Sequence, residues 1–144
     1  MRDVVIKVVE SPEEFAAIQQ IRISVFQDEQ GVDSALEFDG KDDICQHLIA
    51  YLDEQAVGTA RIRYLDDQTA KVERLAVLSN ARGYGIGKRI MEKALLVIAS
   101  QNISEVVVHA QEYIKGLYEK LDFIAVGEIF AEAGIPHVEM RKKL

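Results

Sequence analysis

The densest chemistry in this chain lies in Asn80 to Lys88, NARGYGIGK, where Arg82, Gly83, Gly85 and Gly87 stand close together. Glycines at alternate positions let a backbone reach positive φ and approach a ligand, leaving its amide N–H groups free to point inward. Placed before a helix, such a turn holds anions at the positive end of the helix dipole. Arg82 at its mouth, with Lys88 and Arg89 one turn into the helix, adds local positive charge. Two phosphate loops fail on spacing. A Walker A loop needs glycine where Arg82 stands and Ser or Thr where Arg89 stands, and a dinucleotide fingerprint needs its third glycine where Lys88 stands. What remains is Arg-x-x-Gly-x-Gly over Arg82, Gly85 and Gly87, with a tight strand-to-helix turn as the plainer alternative.

The flanking elements decide what such a loop can serve. Val4 to Val9 reads as a short strand, followed by Ser11 as N-cap, Pro12 at the first helical position and Glu14 closing a capping box. Phe15, Ile18, Ile21, Arg22, Val25 and Phe26 then recur at helical spacing, so a helix is expected to about Phe26. Asp28 to Asp43 is acidic and turn-rich and reads as a mobile connection bordering something functional. His47 to Leu52 and Val57 to Leu65 are expected as antiparallel strands, with Arg61 and Arg63 on one face of the second. Ala70 to Leu78 is a strand before the loop, and Ile86 to about Ser100 a helix after it. Val106 to Ala110, a helix over Glu112 to Leu121, and strands near Phe123 to Phe130 and Val138 to Lys142 complete an α+β arrangement, read as a single domain over residues 1–144.

Composition bounds the partners. The 144 residues carry 17 Lys and Arg against 24 Asp and Glu, a net charge of −7. That balance argues against broad binding to nucleic acid or an anionic membrane, so an anionic ligand must be held locally. At 49% hydrophobic with two prolines, the chain is expected to fold as a globular domain. Cys45 is the only cysteine, which excludes an internal disulfide and a multi-thiolate zinc site and suggests a reducing compartment. No metal constellation is expected: His47, His109 and His137 are scattered. Charges throughout MRDVVIKVVE argue against a secretory signal, and the longest apolar run, Ala94 to Ala99, is six residues, so a cytoplasmic location is expected.

The loop pattern resembles the acyl-CoA pyrophosphate loop of the GNAT acetyltransferase superfamily, and the element order matches that fold along nearly the whole chain. VFQDEQ (Val25 to Gln30), GTARIR (Gly58 to Arg63), ERLAV (Glu73 to Val77) and above all GIPHVEM (Gly134 to Met140) resemble its ElaA-like branch. The resemblance implies a mixed, mostly antiparallel sheet flanked by helices, with two strands splayed around acetyl-CoA as co-substrate and no metal. It implies that backbone groups of Leu75, Ala76 and Val77 hold the pantetheine arm. The loop of Arg82, Gly83, Tyr84, Gly85, Ile86, Gly87 and Lys88 would hold the pyrophosphate. One N–H near Leu75 to Val77 could stabilise the thioester oxyanion.

The resemblance also assigns chemistry. Tyr118 lies where relatives place a tyrosine near the CoA sulfur, and a phenol can protonate a departing thiolate; the alternative is a core residue packed with Ile114, Leu117 and Leu121. The usual glycine after that helix is Asp122 here, which could shift the helix end. Glu73 is the leading base for an amine nucleophile. It shares the face of Leu75 and Val77 if no bulge intervenes, and a tie to Arg74 or Arg61 is the alternative. His137 is a second base candidate, against a plain hydrogen-bonded strand residue. Arg22, Glu29, Gln30, Arg61 and Arg63 would border the acceptor, where Arg61 and Arg63 suggest a carboxylate or phosphate on it unless they pair with acids such as Asp39 or Glu73. The implied activity is N-acetyl transfer to an amine of a small molecule or peptide by direct attack. A non-catalytic acyl-CoA-binding or sensing module, or an acyl-homoserine-lactone-type synthase, are the competitors. The resemblance also allows a homodimer.

Overall fold

A computed structural model describes residues 2–144 of the protein. Seven strands form one sheet in the order β1-β2-β3-β4-β5-β7-β6. These are β1 (Val4–Val8), β2 (Gln46–Leu52), β3 (Gln55–Tyr64), β4 (Thr69–Val77), β5 (Glu105–Gln111), β6 (Ile124–Glu132) and β7 (Ile135–Lys143). Every neighbouring pair is antiparallel except β4 and β5, which run parallel. On one face lie α1 (Pro12–Arg22) and the chain that follows it; on the other lie α3 (Ile86–Ala99) and the short α4 (Lys115–Glu119).

The expected N-terminal helix starts where its residues dictate. Ser11 Oγ accepts from the Glu14 N–H at 3.2 Å, while the Glu14 carboxylate reaches back to the Glu10 N–H at 2.9 Å. It ends sooner than its apolar spacing suggests. After Arg22 the chain winds into a π-helical segment, Ile23–Glu29, closed by the Gln30 N–H bonding to the Val25 carbonyl at 3.2 Å. Such widened turns are rare and favour functional sites. This one buries Val25 and Phe26 against Ile21 and Ala76.

The acidic stretch expected to be mobile is instead anchored. It contains α2 (Ser34–Glu37), capped by the Asp33 carboxylate accepting from the Ala35 N–H, and a 3-10 turn at Asp42–Ile44. Buried arginines reach into it from the sheet and from α1, as described below. The expected Glu112 to Leu121 helix is also divided, into a 3-10 turn at Glu112–Ile114 and α4.

Two local features of β4 and its partner shape the site. Gly58 of β3 has no room for a side chain: a Cβ there would lie 2.8 Å from Ile90 Cδ1 and 3.3 Å from the Ala76 carbonyl oxygen, so glycine lets α3 sit close on the sheet. Along β3 and β4, Thr59 pairs with Ala76 but Arg61 pairs with Glu73, leaving one extra residue on β4. Arg74 takes up the bulge with φ +57°. Beyond it β4 bends away from β5: the parallel pairing covers only Thr69 to Val72 against Glu105 to Val108.

Candidate active site

The divergence of β4 from β5 opens a cleft of about 950 Å³, and most of the expected site residues line it; Arg22, Glu29, Arg61 and Tyr84 do not. Its walls are Glu73 to Val77 of β4, the loop and first turn of α3, His109 and Gln111 of β5, the α4 region with Tyr118, and Glu132, Ile135 and His137 at the β6–β7 turn. Leu75 and Val77 pack toward α3, and Ala76 toward α1, so side chains hold the strand while its backbone borders the gap.

The glycine loop has the form its composition suggests. Gly83 and Gly85 have φ of +89° and +72°, and Gly85 is the N-cap of α3 in the left-handed region. Among the described residues, the backbone N–H groups of Gly83, Tyr84, Gly85, Ile86, Gly87 and Lys88 take no backbone acceptor, so a run of donors stands at the positive end of a 14-residue helix. The Arg82 N–H is spent on the Ser79 carbonyl at 3.4 Å, so the donor run begins one residue later than expected. The Arg82 guanidinium bonds the Val77 carbonyl at 3.0 Å and the Glu29 carboxylate at 2.8 Å. It therefore ties the π-helical segment to the end of β4, and Glu29 serves as its counter-ion. Gln30 is likewise engaged, exchanging two amide hydrogen bonds with Gln111 of β5 at 2.9 and 3.3 Å.

Two of the arginines expected at the acceptor are sealed in the protein. Arg22 is buried and bonds the Glu37 carboxylate at 2.5 Å and Asp42 at 2.8 Å. Arg61, with no exposed surface, grips Asp39 through two 2.9 Å bonds and reaches Asp42 at 3.1 Å. Arg74, from the bulge, donates to the Leu36 and Glu37 carbonyls and to Asp39. These side chains fasten residues 34–44 over the sheet, which corrects the expectation of a mobile connection, while Leu36, Glu37, Asp39 and Lys41 do border the cleft. The Asp39 carboxyl is held well below the ordinary carboxylate range by hydrogen bonds from Arg61. Burial pushes Asp42 upward, but Arg22 and Arg61 outweigh it and the net shift is downward. Arg63 alone of the expected cationic pair lines the cleft.

The bulge also relocates Glu73. It stands opposite Arg61 on the α1 side, away from the face of Leu75 and Val77. Its carboxylate lies 2.7 Å from Arg63, 3.2 Å from Arg61 and 3.8 Å from Lys71. Burial raises its pKa, yet these cations prevail and the carboxyl is shifted down, which favours an ionised carboxylate with little appetite for a proton. Tyr118 is buried, edge-on to Phe123 at 5.8 Å, and lines the cleft, so it packs in the core and borders the cleft at once. Burial, with a smaller contribution from Tyr113, raises the phenol above its ordinary value and keeps it protonated. Asp122 does not displace the helix end: it adopts φ +69° as a glycine would, and the Phe123 N–H bonds the Tyr118 carbonyl at 3.0 Å.

On the cleft's far wall the expected His137 is joined by two residues that sequence reasoning missed, Glu132 and His109. The His137 Nδ1 lies 2.7 Å from the Ile135 carbonyl oxygen, and its Nε2 lies 3.6 Å from Glu132. The other oxygen of Glu132 is 3.0 Å from His109 Nδ1. Phe130 stacks on His137 and meets His109 edge-on. Glu132 closes the GIPHVEM turn, where Ala133 and Gly134 both have positive φ, but nothing in its local sequence distinguishes it from a solvated turn acid.

A parallel pair opening into a slot that ends on a donor-lined helix start is the architecture of an acyl-CoA transferase. The acetyltransferase (GNAT) domain family model matches residues 10–144, and the chain belongs to that family. Its relatives place it in the ElaA-like branch. Protein ElaA of Escherichia coli is 30% identical over 134 residues, covering 89% of this chain and 86% of its own, and the ElaA crystal structure superposes with a TM-score of 0.86 at 27% identity, covering 97% and 99% of the two chains. A Bacillus subtilis protein named as an inferred acetyltransferase is 38% identical over 141 residues, 96% of this chain and 95% of its own. An acyl-CoA N-acyltransferase from Pseudomonas aeruginosa is 30% identical with a TM-score of 0.83, covering 99% of each chain. The chain is an acyltransferase. Among the described residues, no helix is long and apolar enough to cross a membrane.

Proposed function

We propose that this acyltransferase moves an acetyl group from acetyl-CoA to an amine of a small molecule or peptide by direct attack. The free N–H groups of Gly83 to Lys88 at the head of α3 carry this reading, because a row of unpartnered donors beside a slot suits a pyrophosphate with an extended thioester tail. Lys88 and the Arg82 guanidinium, exchanged from Glu29, would add charge. Backbone groups of Leu75, Ala76 and Val77, bared by the splay, would take the pantetheine amides, and one N–H there would meet the oxyanion.

An amine with an ordinary pKa of about 10.4 arrives as ammonium and must lose a proton before its lone pair can attack. The C–N bond forms, the C–S bond breaks, and the thiolate takes a proton from Tyr118, which regains one from water. The burial that keeps this phenol neutral also makes it a weaker acid, so donation requires the departing thiolate to be at least as poorly solvated as the phenolate it leaves behind. As the base, Glu73 is disfavoured by its three cations, whereas His137 offers a ring in the cleft wall. Arg63 would meet an anionic group on the acceptor.

The test is thiol release from acetyl-CoA with a panel of polyamines, amino sugars, amino acids and peptides. Replacing the phenol by Tyr118→Phe should lower turnover by about 100-fold while leaving CoA affinity unchanged. Tight CoA binding with no release for any amine would instead identify a sensing module.

A further inference from the structure

The β6–β7 turn brings an acid and two imidazoles to one wall of the cleft, and their hydrogen bonds have a definite order. His137 sits almost fully buried, with Nδ1 2.7 Å from the Ile135 carbonyl. A carbonyl only accepts, so this contact requires a proton on Nδ1 and leaves the lone pair of the neutral ring on Nε2. Glu132 Oε2 stands 3.6 Å from that nitrogen. This is too long for a neutral hydrogen bond but close enough to favour a positive charge arriving there. Glu132 is itself held: its Oε1 is 3.0 Å from His109 Nδ1, and that hydrogen bond lowers its pKa so that it remains an anion. The stacked Phe130 ring fixes the plane of His137.

We propose that Glu132 is a positioning residue for His137, which takes the proton from the acceptor ammonium at Nε2, while His109 holds Glu132 in place. The inference rests on the acyl-transfer reading above. In the step, the ammonium gives one proton to Nε2, forming an imidazolium whose charge faces Glu132. The freed lone pair makes the C–N bond as C–S breaks, and the second ammonium proton leaves with the thiol balance through Tyr118 and water. His137 then returns its proton to solvent, so one proton is released per acetyl transferred. The other charged groups around the ring are Lys71 from β4, which also acts on Glu132, and Glu139 two residues along β7, 3.5 Å from His109 Nε2; Gln111, paired to His137 across β5, is neutral. Glu73 cannot substitute while Arg61, Arg63 and Lys71 surround it.

Two measurements on the full chain test this. In nitrogen-15 spectra of the imidazoles with CoA bound, neutral His137 should be the Nδ1–H tautomer, and Glu132→Gln should shift its Nε2 resonance without changing the tautomer. An Nε2–H tautomer, or an Nε2 signal indifferent to the substitution, overturns the proposal. In thiol-release assays with an amine from the panel, Glu132→Gln should lower turnover tenfold or more, leave the KM for acetyl-CoA unchanged, and move the acidic limb of the rate profile to lower pH, because the imidazolium loses its counter-charge. Glutamine keeps the shape, so a merely structural role would leave the limb in place, and that result refutes the assignment. If the unsubstituted chain releases no thiol with any amine, the acyl-transfer reading fails, and the imidazole spectra still decide whether Glu132 and His137 are coupled.

Discussion

Replacing Arg61 by methionine separates two roles that the sequence leaves open, acceptor recognition and internal fastening. Methionine keeps the stem and some of the volume but removes two bonds to Asp39, one to Asp42 and the ion pair with Glu73. Removing one member of a buried ion pair costs about 3–5 kcal/mol, because the partner charges stay behind in a poorly solvated place. Here each carboxylate keeps another cation: Asp42 has Arg22 at 2.8 Å, Glu73 has Arg63 at 2.7 Å and Asp39 has Arg74 at 3.3 Å. The low end, about 3 kcal/mol, is therefore expected, equivalent to a fall in Tm of about 6–12 °C for a chain of this size. Thermal and urea unfolding at neutral pH measure it. The pH dependence adds a second signature. Asp39, Asp42 and Glu73 all have pKa values below their ordinary ones in the folded protein, so their stabilisation is full above about pH 5 and fades as acid protonates them. Arg61→Met should flatten that acid loss. A Tm within about 2 °C of the parent, with a raised KM for the acceptor, would refute the structural role and restore Arg61 to the substrate.

Two further substitutions address the loop and the helix end. Gly85→Val forces a β-branched residue to φ +72°, a strain of about 1–2 kcal/mol that the loop relieves by moving its N–H groups; calorimetry should show CoA affinity reduced tenfold or more, and unchanged affinity would remove the cradle from the argument. Asp122→Gly places a glycine at φ +69° where an almost fully exposed carboxylate has only Lys142 at 3.9 Å to lose, so unfolding should show a gain of about 1 kcal/mol, or about 2–4 °C in Tm.

What could be read from the residues alone follows from which interactions are local. Ser11, Pro12 and Glu14 announce a helix start within four positions, and the glycines of Arg82 to Gly87 announce an anion loop, because backbone conformation and capping are decided by near neighbours. The π-helical turn at Ile23–Glu29 was not legible: Val25 and Phe26 keep helical spacing, and only burial against Ile21 and Ala76 selects the wider winding. Residues 34–44 look mobile because they are polar, yet polarity here supplies carboxylates and carbonyls for arginines 15 to 38 positions away in the chain. Glu132 shows the same limit, since the register of β5, β6 and β7 alone makes it the neighbour of both His109 and His137.

The bulge at Arg74 joins these observations. One extra residue on β4 ends its pairing with β5 after Val72 and so opens the slot. The same residue reverses the alternation of side chains, since a single insertion moves every later residue to the other face. Leu75 and Val77 therefore turn toward α3 while Glu73, just before the bulge, stays with Arg61 and Arg63. A strand bulged in this way keeps its acid at the cleft wall tied to Arg61 and Arg63, and the guanidinium of the bulge residue is used to fasten the covering segment. On the proposed acyl-transfer reading the proton acceptor comes from the opposite wall, where β5 and β7 run on past the end of the parallel pairing. His137, His109 and Glu132 are the titratable side chains those strands and their turn present to the cleft.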